Sequence, residues 1–394
     1  MSDKNKIRIG IIGVGNIGTA HANAVYGGKV NRAELSAVCD IDKKRLDCCK
    51  GEFCGVKCYS DYREMLKNDE IDGVIMSVPH PLHAEIGRNV LESGKHLLLE
   101  KPIDITVSAA NELINTAKKS GKVFSIMFNQ RTNELYKKAH EIVQSGQLGE
   151  LKRTVWIVTN WYRTQYYYDS CDWRATWSGE GGGVLLNQAP HNLDLWQWIC
   201  GMPDSVTAFC DTAKYHRIEV EDDATIITRY KNGAVGTFIT STGEYPGTNR
   251  LEISGDLGKI VIENGVLKHW RLKESERRFC FDSKECFAEA EYEYSEFTDN
   301  SNVQSHISII ENFANAILNG ERLLSPGEDG INELIISNAA YLSEWQGNRE
   351  ISLPFDSSEF DELLSRKRNA SHTKSGTNGR QTDGEYTERW NVRW

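Results

Sequence analysis

Residues 7–22 read "IRIGIIGVGNIGTAHA", and this stretch decides the fold. Its first half is a short apolar run that reads as a strand; "IGTAHANAVYG" behind it reads as a helix. Between them stand Gly13, Gly15 and Gly18 in a G-x-G-x-x-G pattern. Alone the pattern is weak, but here it follows a strand and opens a helix, the setting a dinucleotide fingerprint requires. Gly13 allows the tight turn, Gly15 lets backbone approach a pyrophosphate, and Gly18 lets helix and strand pack closely. With Asn16 and Ile17 these residues offer helix N-terminal N–H groups to phosphates. The alternative is a turn that serves structure alone.

Outward from this loop, "ELSAVCD", "DGVIMSVP", "GKHLLLEKP" and "GKVFSIMFNQ" add four more strands, five in all. Helical segments such as "HAEIGRNVLESG" and "SAANELINTAKKSG" separate them, each ending in a glycine suited to a C-cap. Apolar strands joined by crossover helices predict a parallel sheet covered on both faces. The second strand ends in Asp40. A carboxylate there accepts from both ribose hydroxyls and repels a 2′-phosphate, so NAD is favoured over NADP. Lys43, Lys44 and Arg45 follow it, either as a solvated helix face or as a phosphate clamp.

After about residue 150 the pattern changes. "LKRTVWIVTNWY", "SVTAFCDTAKY", "DDATIITRYKNG", "AVGTFITSTG", "NRLEISGDLG" and "GKIVIENG" are strand-like, with turn residues between several of them. Two helices, "SHISIIENFANAILNG" and "GINELIISNAAYLSEWQG", are expected to close that domain. The fold class is therefore α/β: a Rossmann parallel sheet over residues 1–130, then an α+β domain with an open, mainly antiparallel sheet over 131–355. Residues 356–394 form a polar tail, or an arm anchored by Trp390 and Trp394.

The chain has 394 residues and a net charge of −10. That charge argues against nucleic acid, whose binding relies on cationic neutralisation of phosphate. No apolar run approaches the roughly 18 residues of a membrane helix, and the start, "MSDKNKIRIGIIG", lacks a signal-peptide core. A cytoplasmic protein acting on a small molecule is expected. The ten cysteines, four of them clustered as Cys48, Cys49, Cys54 and Cys58, contain no C-x-x-C pair and read as free thiols.

Two segments carry the chemistry. "HLLLEKPI" places Glu100, Lys101 and Pro102 just past a strand's carboxyl end, which faces the ligand crevice in open parallel sheets. A lysine there can exchange protons with a substrate hydroxyl or position it by a hydrogen bond. In "GEGGGVLLNQAPHNLDLWQW" (179–198), His191 lies four residues after Asn187 and three before Asp194. A continuous helix puts all three on one face, and Asp194 can then orient the imidazole. A helix beginning at Pro190 puts His191 in the first turn, where the dipole favours the neutral ring a base needs. The competing readings of His191 are a buried structural histidine or a metal ligand; no H-x-x-x-H or carboxylate pair accompanies it, so no metal is expected. The triple glycine is expected to let backbone approach a ligand or cofactor.

Together, Gly13-x-Gly15-x-x-Gly18, Glu100-Lys101-Pro102 and Gly181-Gly182-Gly183 leading to His191 and Asp194 resemble the glucose–fructose oxidoreductase / inositol dehydrogenase / MocA family, over roughly residues 6–354. "SVPHPLHAE", with Pro79 and His83, "NQRTNELYKKAHEIVQSGQLGE", "DWRATW" and "DLGKIVI" extend the resemblance. It implies a Rossmann domain that holds NAD(P) through Gly13, Gly15, Asn16, Ile17, Gly18, Asp40, Pro79, His83, Glu100, Lys101 and Asn129. It further implies a sheet domain that commonly mediates homo-oligomerisation, and metal-free oxidation or reduction of a sugar or polyol carbon. Lys101 matches the family's catalytic lysine and His191 its catalytic histidine. Many members carry an aspartate where this chain has Asn187; an amide cannot take up a proton near neutral pH, so Asn187 positions substrate or water. The "NQ" before the histidine resembles a subgroup that includes enzymes oxidising pyranoses at the 3-hydroxyl.

Six of the ten tryptophans (Trp156, Trp161, Trp173, Trp177, Trp196 and Trp198) fall between residues 156 and 198, beside Tyr162, Tyr166, Tyr167 and Tyr168. They form either packing for a long loop or a carbohydrate pocket. In the pocket reading Trp173 and Arg174 contact substrate, with Lys101, Asn187 and His191. Asn129 and Arg131 face the ligand or cap a helix, and His306 either reaches a pocket or is structural. The expected function is oxidation of a secondary hydroxyl of a sugar or glycoside, favouring pyranose C3. The alternatives are an NAD-dependent redox-assisted glycosidase and a non-catalytic dinucleotide-binding regulator.

Overall fold

The computed structural model describes residues 5–299 and 305–372, which fall into two compact units. The expected tail beyond residue 372, with Trp390 and Trp394, lies outside the described residues. Among the described residues no helix is long and apolar enough to cross a membrane.

The first unit comprises residues up to Thr132 together with a later stretch ending at Leu334. Its sheet contains β1 (Ile7–Ile12), β2 (Ala33–Cys39), β3 (Lys57–Tyr59), β4 (Gly73–Met76), β5 (His96–Leu99) and β6 (Phe124–Ile126), in the order 3-2-1-4-5-6. All neighbours are parallel. This is the doubly wound Rossmann order, and the chain reverses direction across the sheet between β1 and β4. Strand β3 escapes a reading of the sequence because it is a three-residue edge strand with no buried position, too short for any period to show.

A larger difference concerns helix Ser305–Asn319. The sequence assigns it to the second domain, but Ile309, Ile310, Phe313 and Ala314 join the core of Ile7, Ile9, Ile75 and Leu98. A β-carbon added to Gly73 would stand 3.2 Å from the Phe313 ring. Farther along, Ile126 N–H donates to the Ser325 carbonyl at 3.1 Å and Ser125 Oγ donates to the same oxygen at 2.8 Å, so this segment borders β6. The expected boundaries 1–130 and 131–355 thus give way to a discontinuous unit. Apolar periodicity states that a helix has a buried face but not which sheet covers it.

The second unit holds a nine-stranded mixed sheet: β7 (Leu151–Val158), β8 (Ser205–Thr212), β9 (Glu221–Arg229), β10 (Val235–Ser241), β11 (Asn249–Gly255), β12 (Gly258–Glu263), β13 (Val266–Leu272), β14 (Tyr292–Thr298) and β15 (Ile351–Ser352). The order is 14-13-12-11-7-10-9-8-15. Among the described residues, β7 and β10 pair in parallel; the other pairs of this sheet are antiparallel. Burial alternates along β9 and β10, as expected for a sheet with one covered face. Trp156, Trp196 and Phe238 form the centre of that face, with Trp196 Nε1 donating to Thr154 Oγ1 at 3.0 Å.

The expected tail begins with a structured element. Helix Ser357–Asn369 is capped by Asp356, whose side chain accepts the Ser358 N–H at 3.0 Å. Its apolar residues Phe360 and Leu364 are buried four positions apart among six charged ones, which is why the segment reads as merely polar. Phe360 stacks on Trp345 with ring centroids 5.4 Å apart. Phe360→Ala is expected to destabilise the protein by about 3–5 kcal/mol, the usual penalty for removing a buried aromatic ring. Denaturant unfolding measures this, and an unchanged midpoint would place the helix outside the cooperative core.

Candidate active site

In the first unit, the glycine loop joins β1 to helix Asn16–Tyr26. Gly13 has φ +88°, and a β-carbon there would lie 2.4 Å from the Ser77 carbonyl oxygen. At Gly18 one would lie 1.8 Å from the Gly13 oxygen. Gly15 is different: a β-carbon would meet only Arg45 Nη1, at 3.6 Å. The fold does not need glycine at that point, and the open space above it is what a pyrophosphate approaching the backbone would fill. No side chain caps the helix, and its first turn carries no acidic residue, which suits an anion at a helix N-terminus. Asp40 is buried and braces the loop, accepting the Val14 N–H at 2.9 Å and the Asp42 N–H at 2.8 Å. Arg45 reaches Asp40 at 3.5 Å, so it belongs to the loop's surroundings rather than to a remote helix face. Asn16 is exposed and Ile17 half-buried on the first helical turn. The residues present therefore fit a dinucleotide.

Glu100 and Lys101 follow β5. Glu100 is buried, and its Oε1 lies 2.8 Å from Nε2 of His21, which is fully buried in the helix behind the glycine loop. Burial alone would push the Glu100 carboxyl up; the hydrogen bond and charge of His21, with Lys101 nearby, hold it at about 2. Glu100 Oε2 also accepts the Lys101 backbone N–H at 3.3 Å, and Lys101 is half-buried. His306 belongs to this unit, its ring 5.9 Å from that of His21. Burial, then the charge of His21, push His306 down to about 3. Asn129 is buried and donates to Ser305 Oγ at 2.9 Å.

His83, expected at the cofactor, has its ring nitrogens 2.7 and 2.8 Å from the Pro102 and Val78 carbonyl oxygens. Its ring braces the loop after β5 against the loop of Val78 and the exposed Pro79. Arg131 is paired to Asp329 at 2.6 Å. The sequence reading misses His21, although a polar residue between the buried Ala20 and Ala22 is a usable signal.

In the second unit, His191 occupies the first turn of helix Pro190–Cys200, separated from the short helix Val184–Asn187 by Gln188 and Ala189. Of the two geometries open to this segment, the helix starting at Pro190 is the one adopted. Every residue from Glu180 to Gln197 is buried except Asn187 and His191, which are half-buried. Asp194 is fully buried and accepts from Gln197 Nε2 at 3.1 Å.

Gly182 and Gly183, before this segment, face the chain itself. A β-carbon on Gly183 would lie 1.9 Å from the Glu221 carbonyl oxygen, and one on Gly182 would lie 2.4 Å from the Tyr341 hydroxyl. Close approach is required by the unit's own sheet and helix. Gly183 and Leu185 N–H groups and the Tyr341 hydroxyl donate to the Glu221 carboxylate, whose carboxyl burial pushes up to about 7 against those donors.

The tryptophan-rich stretch divides. Trp156, Trp161, Trp177 and Trp196 are buried, and Trp198 stacks on His140 at 3.8 Å, so packing accounts for five of the six. Trp173 is half-buried. Arg174 is buried, lies 4.1 Å over the Tyr167 ring and bonds its hydroxyl. Tyr167 also accepts Gln188 Nε2 at 3.2 Å, tying Arg174 to the turn before His191.

Residues 7–128 match a family model described as "Oxidoreductase family, NAD-binding Rossmann fold", and residues 136–261 match "GFO/IDH/MocA C-terminal domain". Myo-inositol 2-dehydrogenase of Thermotoga maritima is 27% identical over 264 residues, 66% of this chain and 75% of the relative. Alpha-N-acetylgalactosaminidase of Shewanella oneidensis is 26% identical over 273 residues, 65% of this chain and 55% of the relative. The crystal structure of the WlbA dehydrogenase from Chromobacterium violaceum, a complex with NADH and UDP-GlcNAcA, matches with a TM-score of 0.76. It is 28% identical, with 90% of this chain and 98% of that chain covered.

Proposed function

The chain belongs to the glucose–fructose oxidoreductase / inositol dehydrogenase / MocA family of NAD-binding oxidoreductases, and from that premise we propose that it oxidises a secondary hydroxyl of a sugar or glycoside to a ketone, favouring C3 of a pyranoside. The observation that carries this reading is the partial exposure of Asn187 and His191 alone in an otherwise buried segment. A polar pair kept accessible at a packed helix start is placed for a ligand rather than for the core. NAD, when bound on the glycine loop, supplies the acceptor for the hydride leaving the carbinol carbon. His191 takes the hydroxyl proton, its position in the first helical turn favouring the neutral ring. Lys101, by its match to the family's lysine, is assigned the role of polarising the reacting hydroxyl oxygen. Asn187, Trp173 and Arg174 hold the ring.

The carbohydrate class draws support from the inositol dehydrogenase and from the neighbour holding UDP-GlcNAcA. The C3 preference rests on the resemblance of Asn187-Gln188 to enzymes acting at that hydroxyl. Cytoplasmic placement and a homo-oligomer belong to the same reading; Phe209 and Ile227, exposed on one face of β8 and β9, support the latter. The likeness to an alpha-N-acetylgalactosaminidase favours a second reading. In it, transient oxidation at C3 acidifies the C2–H, loss of that proton expels the glycosidic substituent from C1, water adds across the resulting C1–C2 double bond, and the hydride returns to C3. Incubation with NAD and a panel of pyranosides, followed by absorbance and product mass, decides. A keto product with net cofactor reduction supports the dehydrogenase. Released aglycone without net reduction supports the glycosidase, and no turnover with cofactor bound would indicate a regulator.

A further inference from the structure

Where the family resemblance implies an aspartate, this chain carries Asn187, and its structure sets a buried carboxylate, Glu180, beside that amide. Glu180 is 1% exposed. Its Oε1 accepts from Asn187 Nδ2, and its Oε2 accepts the Ala175 N–H at 2.6 Å. Ala175 is one of the few non-glycine residues with positive φ, at 54°, and it follows Trp173 and Arg174 directly. The turn that holds it is closed by Thr176 Oγ1 donating to the Trp173 carbonyl at 2.8 Å, and by the Glu180 N–H donating to the Thr176 carbonyl at 3.0 Å. A buried carboxylate is tolerated only when donors surround it, so the Asn187 amide and the Ala175 N–H are held firmly to Glu180. An asparagine amide has two flips, one offering N–H and one offering carbonyl oxygen on a given side. With Nδ2 committed to Glu180, Oδ1 faces the other way.

Resting on the dehydrogenase reading above, we propose that Glu180 is a positioning residue that fixes the Asn187 amide, so that Asn187 presents a hydrogen-bond acceptor to a substrate hydroxyl. The same carboxylate locks the Trp173–Arg174 turn to the Asn187–His191 segment. Substrate holding and proton transfer are thereby set by one buried group. It also accounts for the departure at 187: an aspartate there would stand against Glu180 as a second carboxylate, and like charges in contact cannot both stay ionised. Position 187 is neutral because its neighbour is charged.

The test is a double-mutant cycle of E180Q, N187D and E180Q/N187D, read in two ways. In E180Q the new amide keeps the Ala175 N–H through its carbonyl oxygen and turns a donor toward Asn187, which must flip. In N187D two carboxylates meet. In the double variant the amide introduced at position 180 donates to the carboxylate introduced at position 187, and the hydrogen bond is restored with its direction reversed. The expected result is a loss of about 10- to 100-fold in kcat/KM for the carbohydrate in each single variant, the effect of one misdirected buried hydrogen bond. The double variant recovers about tenfold or more of it, and NAD affinity is unchanged throughout. The second reading is Tm between pH 5 and pH 8. N187D loses stability toward pH 8 relative to wild type, and the double variant does not. Tyr168, which senses the Glu180 charge, and Glu221 and Tyr341, bonded at Gly183, are common to all four proteins, as are Arg174 and His191 in the flanking sequence. Their titration cancels in the cycle. Additive effects in Tm, or in kcat/KM of an active wild type, overturn the proposal. A wild type that oxidises no carbohydrate sinks the dehydrogenase reading alone, and the stability cycle still decides the Glu180–Asn187 orientation.

Discussion

Replacing His191 by alanine is expected to lower kcat for carbohydrate oxidation by about 10²- to 10⁴-fold, the range a general base contributes, with NAD affinity near its wild-type value. The separation of the two effects follows from the fold. The residues that fit a dinucleotide lie in the first unit, on the loop after β1 and at Asp40, whereas His191 opens a helix of the second unit. Lys101→Ala is expected to reduce kcat by a similar order, because a donor aimed at the developing alkoxide acts mainly in the transition state. Absorbance of the reduced nicotinamide under single-turnover conditions gives the rate, and fluorescence titration gives the NAD dissociation constant. Near-full activity in either variant would remove that residue from the chemistry.

The second large effect is expected in the glycine loop, where two neighbouring glycines should fail differently. Gly18→Val forces side-chain atoms into a space where even a β-carbon lies 1.8 Å from the Gly13 oxygen and 2.7 Å from Ser77 Oγ. The obstruction is backbone and cannot rotate away, so the penalty should exceed the roughly 1–3 kcal/mol of ordinary overpacking. The variant should unfold at lower temperature even without cofactor. Gly15→Ala meets no such obstruction, and its φ of −70° suits alanine. Its Tm without NAD should match wild type, while the upward shift that saturating NAD gives wild type, about 2.7 kcal/mol at one hundred times Kd, should largely vanish. Thermal melts of both variants with and without NAD make the comparison. A Gly15→Ala protein that NAD stabilises fully would show that the dinucleotide does not lie over Gly15.

Much of the first unit was legible because its signals are local. The apolar runs of β1, β4 and β5, the glycine spacing and the acidic end of β2 each lie within a few consecutive residues. The proposed roles of Lys101 and His191 rest likewise on short neighbourhoods and on the family resemblance they carry. What escaped were relations between distant positions. Helix Ser305–Asn319 was recognisable as a helix, but its partner sheet was not, because the Phe313 contact with Gly73 spans most of the chain. The Glu100–His21 pair joins residues 79 apart. The tryptophan-rich stretch could not be divided between packing and pocket until burial separated Trp156, Trp161, Trp177 and Trp196 from Trp173.

The triple glycine shows the same division most sharply. From the sequence alone it signals either a close approach of backbone or a backbone conformation only glycine adopts readily, and Gly181 takes the second course at φ +85°. Only the folded chain identifies the neighbours of Gly182 and Gly183 as Tyr341 and Glu221. The sequence by itself determined a nucleotide-binding α/β unit and a mainly antiparallel second sheet, because these depend on period and spacing. Tertiary structure decided that helix Ser305–Asn319 serves the first unit, that Glu221 closes the glycine turn, and that a buried Glu180 faces Asn187. Each of these depends on which side chains meet across sequence distance, and sterics and hydrogen-bond satisfaction settle that only once the chain is packed.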